Sequence, residues 1–233
     1  MLFDLPLEEL RTYRPALEVP PDLAEFWSTT LAQARVAPLA ATFTPVADSA
    51  LRTVEVFDVG FVGFGGAPIA GWLLLPRDRS GPLPCIVEYI GYGGGRGLPH
   101  DWLDWSAFGY AHLVMDTRGQ GSSWRSGVTR DVHPAGSAPH VPGFLTLGLP
   151  DRDDYYYRRL YVDAVRAVDA AREHPDVDPS RVVVCGGSQG GGLAIAAGAL
   201  ADGVSAVLTD VPFLAHFRRA VDIAGPPYAE LLS

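Results

Sequence analysis

Gly186, Ser188 and Gly190 stand at alternate positions and supply the G-x-S-x-G spacing in which a serine hydroxyl is presented as a nucleophile. Before them Val182-Val183-Val184-Cys185 is a short apolar, β-branched run of the kind that forms a strand covered on both faces. After them Leu193-Ala194-Ile195-Ala196-Ala197-Gly198-Ala199-Leu200 favours a helix with small residues for close packing. A strand turning sharply into a helix brings two backbones together, and a Cβ at either flanking glycine would collide there. Ser188 is therefore expected on an exposed, strained corner. In a chain with 26 glycines the spacing alone is weak, and a glycine-rich turn that merely packs tightly, or a loop that cradles phosphate, would share it. A phosphate loop should open the first βαβ unit, with an acidic residue about twenty positions further on. Asp202 comes too early for that, and this strand is late in the chain.

A serine hydroxyl attacks an acyl carbon at neutral pH only with a histidine base, a carboxylate to orient it, and donors for the oxyanion. The backbone N–H of Gln189, directly after the nucleophile at the helix start, is one expected donor. The second is expected from the loop Glu88-Tyr89-Ile90-Gly91-Tyr92-Gly93-Gly94-Gly95-Arg96-Gly97, through the N–H of Tyr92. A flexible surface turn is the other reading of the same glycines. Asp116 and Arg118 are expected to pair with each other and hold their loop near the elbow. After Ser188, His216 and Asp210 are the local candidates for base and carboxylate, and Asp210, at the end of its strand, reads better as a structural or cap residue. His112 falls at the start of a buried strand and His174 at a helix C-terminus, where the dipole suits a cation. His100, His133 and His140 fall in loops, and no histidine has the spacing of a metal site.

The elements that must carry these residues alternate along the chain. Pro20-Pro21-Asp22-Leu23-Ala24-Glu25 predicts a helix start, with Asp22 as N-cap and Glu25 in the capping-box position. Leu23, Phe26, Trp27, Thr30, Leu31 and Ala34 continue it at helical spacing. Residues 52–75 read as an antiparallel strand pair around Gly63-Phe64-Gly65-Gly66. Compact apolar runs follow at Cys85–Ile90, Leu113–Met115, Val182–Cys185 and Ala206–Leu208. A helix over Asp154–His174 buries Tyr157, Tyr161, Ala164, Val165, Val168 and Ala171, and leaves Arg158, Asp163, Arg166, Asp169 and Arg172 on a solvated face. Residues 116–153, rich in Gly, Pro and His, form a loop too long to be a mere connector. Strands alternating with helices behind an antiparallel opening, with an elbow serine, predict a single α/β domain of the α/β-hydrolase fold over residues 1–233.

A net charge of -9 argues against nucleic acid or an anionic membrane as a partner, since no basic stripe neutralises phosphates. The first ten residues carry Asp4, Glu8 and Glu9 and lack the basic start and apolar centre of a secretory signal, so a cytoplasmic location is expected. Cys85 and Cys185 each fall in a predicted buried strand, where a thiol behaves as a small hydrophobe, and no disulfide is expected between them.

Four blocks carry a resemblance to a known family: Tyr89-Ile90-Gly91-Tyr92-Gly93-Gly94-Gly95, Met115-Asp116-Thr117-Arg118-Gly119-Gln120-Gly121, Gly186-Gly187-Ser188-Gln189-Gly190-Gly191-Gly192 and Pro212-Phe213-Leu214-Ala215-His216-Phe217-Arg218-Arg219. Together the chain resembles the acetyl xylan esterases and cephalosporin C deacetylases, a carbohydrate-esterase branch of the α/β-hydrolases. The resemblance implies deacetylation of small esters, such as acetylated xylo-oligosaccharides or cephalosporins, without metal or organic cofactor. It assigns Ser188 as nucleophile and the N–H groups of Tyr92 and Gln189 as oxyanion hole, and it implies a hexamer. The family's catalytic aspartate and histidine would lie beyond Ser233, so neither is carried over to a residue here, and an incomplete C-terminus lacking further strands is expected. A prolyl-oligopeptidase type of serine peptidase, and a non-catalytic subunit that pairs through the open sheet edge at Ala206–Leu208, are the competing readings.

Overall fold

The computed structural model describes residues 4–16, 18–134 and 141–232. Two helices open the chain, α1 (Leu7–Thr12) and α2 (Leu23–Ala34), followed by strands β1 (Thr42–Pro45), β2 (Val54–Val62), β3 (Pro68–Pro76) and β4 (Leu83–Tyr89). Next come α3 (Asp104–Ala107), β5 (Ala111–Met115), α4 (Tyr156–Glu173), β6 (Val177–Gly187), α5 (Gln189–Leu200), β7 (Val204–Asp210) and α6 (Phe217–Ile223). Among the described residues the strands form one seven-stranded sheet in the order β1-β2-β3-β5-β4-β6-β7. β1, β2, β3 and β5 pair antiparallel, and β5, β4, β6 and β7 pair parallel.

The antiparallel pair β2–β3 runs in register from Val54↔Pro76 to Val62↔Pro68. Its turn is a 3-10 segment, Phe64–Gly66, in which Gly65 and Gly66 have φ of 65° and 79°, a region that favours glycine. The four compact apolar runs are the strands β4, β5, β6 and β7, each somewhat longer than its apolar stretch. β6 gains residues at its start because Asp178 Oδ1 accepts from both the N–H and the hydroxyl of Ser180, which closes a bulge between the pairs Leu83↔Val177 and Cys85↔Val182.

Alternation sorts each central strand between two faces. Cys85, Val87, Tyr89, Leu113, Met115, Val182 and Val184 join the large core that α4 and α5 cover. Val54, Val56, Leu74, Ile90 and Val114 meet Trp102 in a smaller cluster on the opposite face. Burial pushes the Cys85 thiol up to about 12 and the Cys185 thiol higher still, so both remain neutral, and both are free. β7 lies at the sheet edge, with Val207 and Leu208 exposed. Among the described residues no helix is long and apolar enough to cross a membrane.

Two expectations about helices are corrected. Asp22 makes no capping hydrogen bond, because its carboxylate is drawn instead to Arg152 at 2.6 Å, which also holds its pKa down. The polar side of α4 is not a solvated face: Asp163 and Arg166 are buried, as is Arg159. The segment after β5 and the β2–β3 turn close over that side and supply charged and carbonyl partners. Arg166 donates to the carbonyls of Val62 and Ala37, and Arg158 lies half-buried with its Nε donating to Thr30 Oγ1 at 3.1 Å. A sheet with parallel centre, flanking helices and a strand-to-helix corner at Ser188 is the α/β-hydrolase fold.

Candidate active site

Ser188 occupies the single position between β6 and α5 with φ 53° and ψ −120°, a combination rare for residues bearing a Cβ. Neighbouring main chain holds it there. Its N–H donates to Asp210 O at 2.9 Å, and its carbonyl accepts from Phe213 N at 2.9 Å and Gly192 N at 3.1 Å. The end of β7 and the segment after it thus clamp the corner, while the serine side chain is exposed. The glycines are required by distance. A Cβ at Gly186 would lie 2.4 Å from the Gly190 carbonyl carbon, and one at Gly190 would lie 2.1 Å from Tyr89 O. Gly192, beyond the motif, is equally constrained, since its Cβ would meet Phe213 O at 2.3 Å.

Gln189 begins α5, so its N–H has no acceptor within the helix and faces the corner with the positive end of the helix dipole. Tyr92 lies on the neighbouring loop, whose start is brought alongside the helix by close backbone approach: a Cβ at Gly190 would stand 3.2 Å from Ile90 N. The Tyr92 hydroxyl donates to Glu230 Oε1 at 2.5 Å and accepts from Gly143 N and Phe144 N at 3.0 Å each. Burial, and then the hydrogen bond to Glu230, push its phenol well above the ordinary range. Its carbonyl accepts from Trp124 Nε1 at 2.9 Å.

The glycine-rich loop is not a flexible surface turn. Gly93, Gly94, Gly95 and Arg96 are buried, and Gly93 has φ 78°. A second strand of chain lies directly against it, leaving 2.2 Å between a Cβ at Gly95 and Gly127 Cα. Its N–H groups are taken up in turn: Gly93 by Gln120 Oε1 at 2.7 Å, Gly95 by Arg125 O at 2.9 Å, Arg96 by Asp116 Oδ1 at 2.7 Å and Gly97 by Ser126 O at 2.8 Å.

The expected Asp116–Arg118 pair does not form, because the two side chains serve different partners. Asp116 is buried and, among the described residues, accepts from the backbone N–H groups of Arg96, Val128 and Thr129. Arg118 grips Asp163 with two hydrogen bonds of 2.6 and 2.8 Å and lies 3.4 Å from Asp131. Asp131 in turn pairs with Arg159 at 2.7 Å, so the buried charges balance. Both arrangements still hold the loop near the elbow, one from its main chain and one from α4.

The histidines are engaged elsewhere. His216 has φ 45° and places Nε2 3.0 Å from the Tyr13 hydroxyl, with the rings stacked. His112 is buried, with Nδ1 3.0 Å from Trp102 O and Nε2 2.9 Å from Glu88 Oε2. His174 Nδ1 accepts from Asp176 N at 3.2 Å, and its ring meets Phe43 and Phe57. Burial there holds its pKa below the ordinary value, against the nearby charge of Asp176, which raises it. His133 lies 3.9 Å from Asp154, His100 is exposed, and His140 lies outside the described residues. Asp210 contributes its carbonyl to the corner. Among the described residues no group of three or more His, Cys, Asp or Glu side chains is placed to hold a metal ion.

Sequence spacing did not reveal the side chains beneath the Tyr92 loop and the start of α5. Gln189 is fully buried, with Nε2 donating to Ile90 O at 3.1 Å and Oε1 accepting from the Tyr157 hydroxyl at 2.9 Å. Gln120 joins it at 2.9 Å. A cavity of about 390 Å³ opens beside the elbow on the α3 side, lined by Glu88, Trp105, Cys185, Gly186, Leu208 and Asp210 among others.

The acetyl xylan esterase from Paenibacillus sp. R4 superposes with a TM-score of 0.90 at 41% identity, over 98% of this chain and 71% of that one. Acetyl xylan esterase 1 from Thermoanaerobacterium sp. JW/SL YS485 gives 0.87 at 30% identity, over 99% and 71%. Among curated proteins, acetyl esterase Axe7A of Xylanibacter ruminicola is 28% identical over 210 residues, which are 90% of this chain and 47% of that protein. The chain thus spans about half the length of this curated relative. The family model described as acetyl xylan esterase (AXE1) matches residues 1–233, and the chain belongs to that family.

Proposed function

We propose that the protein is a serine carboxylesterase that removes acetyl groups from small esters, with acetylated xylo-oligosaccharides and cephalosporin C as the substrate class. The observation that carries this reading is Ser188: an exposed hydroxyl on a φ 53° corner, at the N-terminus of a helix and beside a loop whose main chain is fixed. In the reaction the hydroxyl oxygen adds to the acetyl carbonyl carbon while its proton passes to an imidazole base. The carbonyl oxygen gains charge and is met by the N–H groups of Gln189 and Tyr92, donors that are oriented before the charge develops. Collapse expels the alcohol, which takes the proton, and water then hydrolyses the acetyl-serine by the same route. The imidazole and its orienting carboxylate are not assigned among the described residues.

The resemblance of the whole chain to acetyl xylan esterases supports the acetyl group as the acyl portion. Labelling the natural protein with an organophosphonate and mapping the adduct tests the nucleophile. The adduct is expected on Ser188, and Ser188→Ala is expected to lower kcat on p-nitrophenyl acetate by about 10³- to 10⁶-fold. An adduct on another residue, or a Ser188→Ala protein of undiminished rate, overturns the assignment. Faster cleavage of a peptide than of acetyl esters would transfer the same serine to a peptidase.

A further inference from the structure

Gln120, in the Asp116–Gly121 stretch, is a buried side chain that the proposed reaction does not use and that touches both the Tyr92 loop and Gln189. We propose that Gln120 is a positioning residue that locks the loop bearing the Tyr92 N–H to the helix start bearing the Gln189 N–H, so that the two oxyanion donors hold one fixed separation. This inference rests on the Ser188 esterase reading above.

Gln120 lies between the two donor segments and bonds to both. Its Oε1 accepts from Gly93 N at 2.7 Å, one residue beyond Tyr92. Its Nε2 donates to Gln189 Oε1 at 2.9 Å and to the Tyr156 hydroxyl at 3.0 Å. Gln189 returns a bond from Nε2 to Gln120 Oε1 at 3.2 Å and spends its other amide proton on Ile90 O at 3.1 Å, in the strand exit that leads into the Tyr92 loop. The Tyr156 hydroxyl donates to Arg118 O, which fixes the backbone from which Gln120 extends. Gln120, Gln189 and Tyr156 are fully buried and Tyr157 nearly so, so water cannot replace a broken bond.

An amide suits this position at every pH. One end must accept from a main-chain N–H of the loop while the other donates to a side-chain carbonyl of the elbow helix. A hydrocarbon of similar size fills the space and makes neither bond, and an ionised carboxylate keeps the acceptor but opposes Gln189 Oε1 with a second oxygen. Sliding the loop relative to the helix would break a bond at one end of Gln120 or the other. Donors preset in this way act fully on the developing oxyanion, because they do not reorganise during the reaction.

The test is steady-state kinetics of the natural protein on p-nitrophenyl acetate, with Gln120→Leu and Gln120→Glu, at a temperature where circular dichroism shows each variant fully folded. Gln120→Leu is expected to lower kcat about 10- to 100-fold with KM changed by less than about 3-fold, since only the charged transition state needs the two donors in register. For Gln120→Glu, the ratio of its kcat to that of the parent is expected to rise as pH falls from about 8 to about 5, because protonation restores a donor opposite Gln189. A folded Gln120→Leu protein with kcat within about 2-fold of the parent overturns the proposal. A Gln120→Glu protein with reduced kcat and a pH-independent ratio overturns it as well, and decides the matter alone if Gln120→Leu does not fold. Failure of the esterase reading is seen separately, as a Ser188→Ala protein that keeps its activity.

Discussion

At the scale of the residue, Ser188 is held in a conformation that costs on the order of 1–3 kcal/mol, and it persists because its N–H and carbonyl are fixed by Asp210, Gly192 and Phe213. The glycines around it differ in what they tolerate. Gly190→Ala drives a Cβ into Tyr89 O at 2.1 Å, a main-chain atom in the centre of the sheet, and is expected to cost roughly 1–3 kcal/mol in urea unfolding. Gly187→Ala meets nothing nearer than Asp210 O at 4.0 Å and is expected to stay within about 0.5 kcal/mol of the parent. Equal losses in the two variants would remove close backbone approach as the reason for the motif. This part of the site was legible in the sequence because the constraint acts on the residue that bears it. Gln120 was not legible, because its partners Gly93 and Gln189 lie 27 and 69 positions away and nothing about an isolated glutamine indicates a buried bridge.

Elements were legible where burial follows the period of the structure, and were misread where charge enters the interior. The runs that became β4, β5, β6 and β7 stood out because each is buried or paired on a compact apolar stretch. Helix α4 defeated the same reasoning, because it is covered on more than one side. Its Asp163 accepts from Arg118 at 2.6 and 2.8 Å and from Phe64 N at 2.8 Å, joining the helix to the β2–β3 turn and to the loop after β5. A charged residue on a helix reads as solvent-facing unless its partner is known, and these partners are 45 and 99 residues away. Asp163→Ala is expected to destabilise the protein by about 3–5 kcal/mol, because it leaves the Arg118 guanidinium buried with the Phe64 carbonyl at 3.1 Å and, as its nearest described counter-charge, Asp131 at 3.4 Å. A loss below about 1 kcal/mol in chemical denaturation would show that Asp163 behaves as a surface ion-pair residue instead.

Across the whole molecule, acid acts first on histidines that the fold keeps neutral. His174 closes α4 against β1 and β2, with Nδ1 already occupied as an acceptor and its ring set between Phe43 and Phe57. Burial lowers its pKa, and burial followed by the Arg159 charge lowers that of His133. A lowered histidine pKa means that the unfolded chain binds the proton first as pH falls. Each contribution is therefore complete above the unfolded value of about 6.5 and is lost as pH falls through the folded pKa. A second loss belongs to Asp178, held down to about 2 by Ser180 and then Arg181; its share is complete above about 3.9 and disappears as pH falls toward that lower value. Stability should thus be flat from about pH 8 to 7, decline below about 6.5, and decline again below about 4. His174→Gln, which keeps an acceptor for Asp176 N–H but cannot take a proton, is expected to reduce the first decline in thermal unfolding followed from about pH 7 to 5 to the share of His133, and to leave the second unchanged. An undiminished slope in that variant would move the acid sensitivity away from the seam where α4 meets the antiparallel strands.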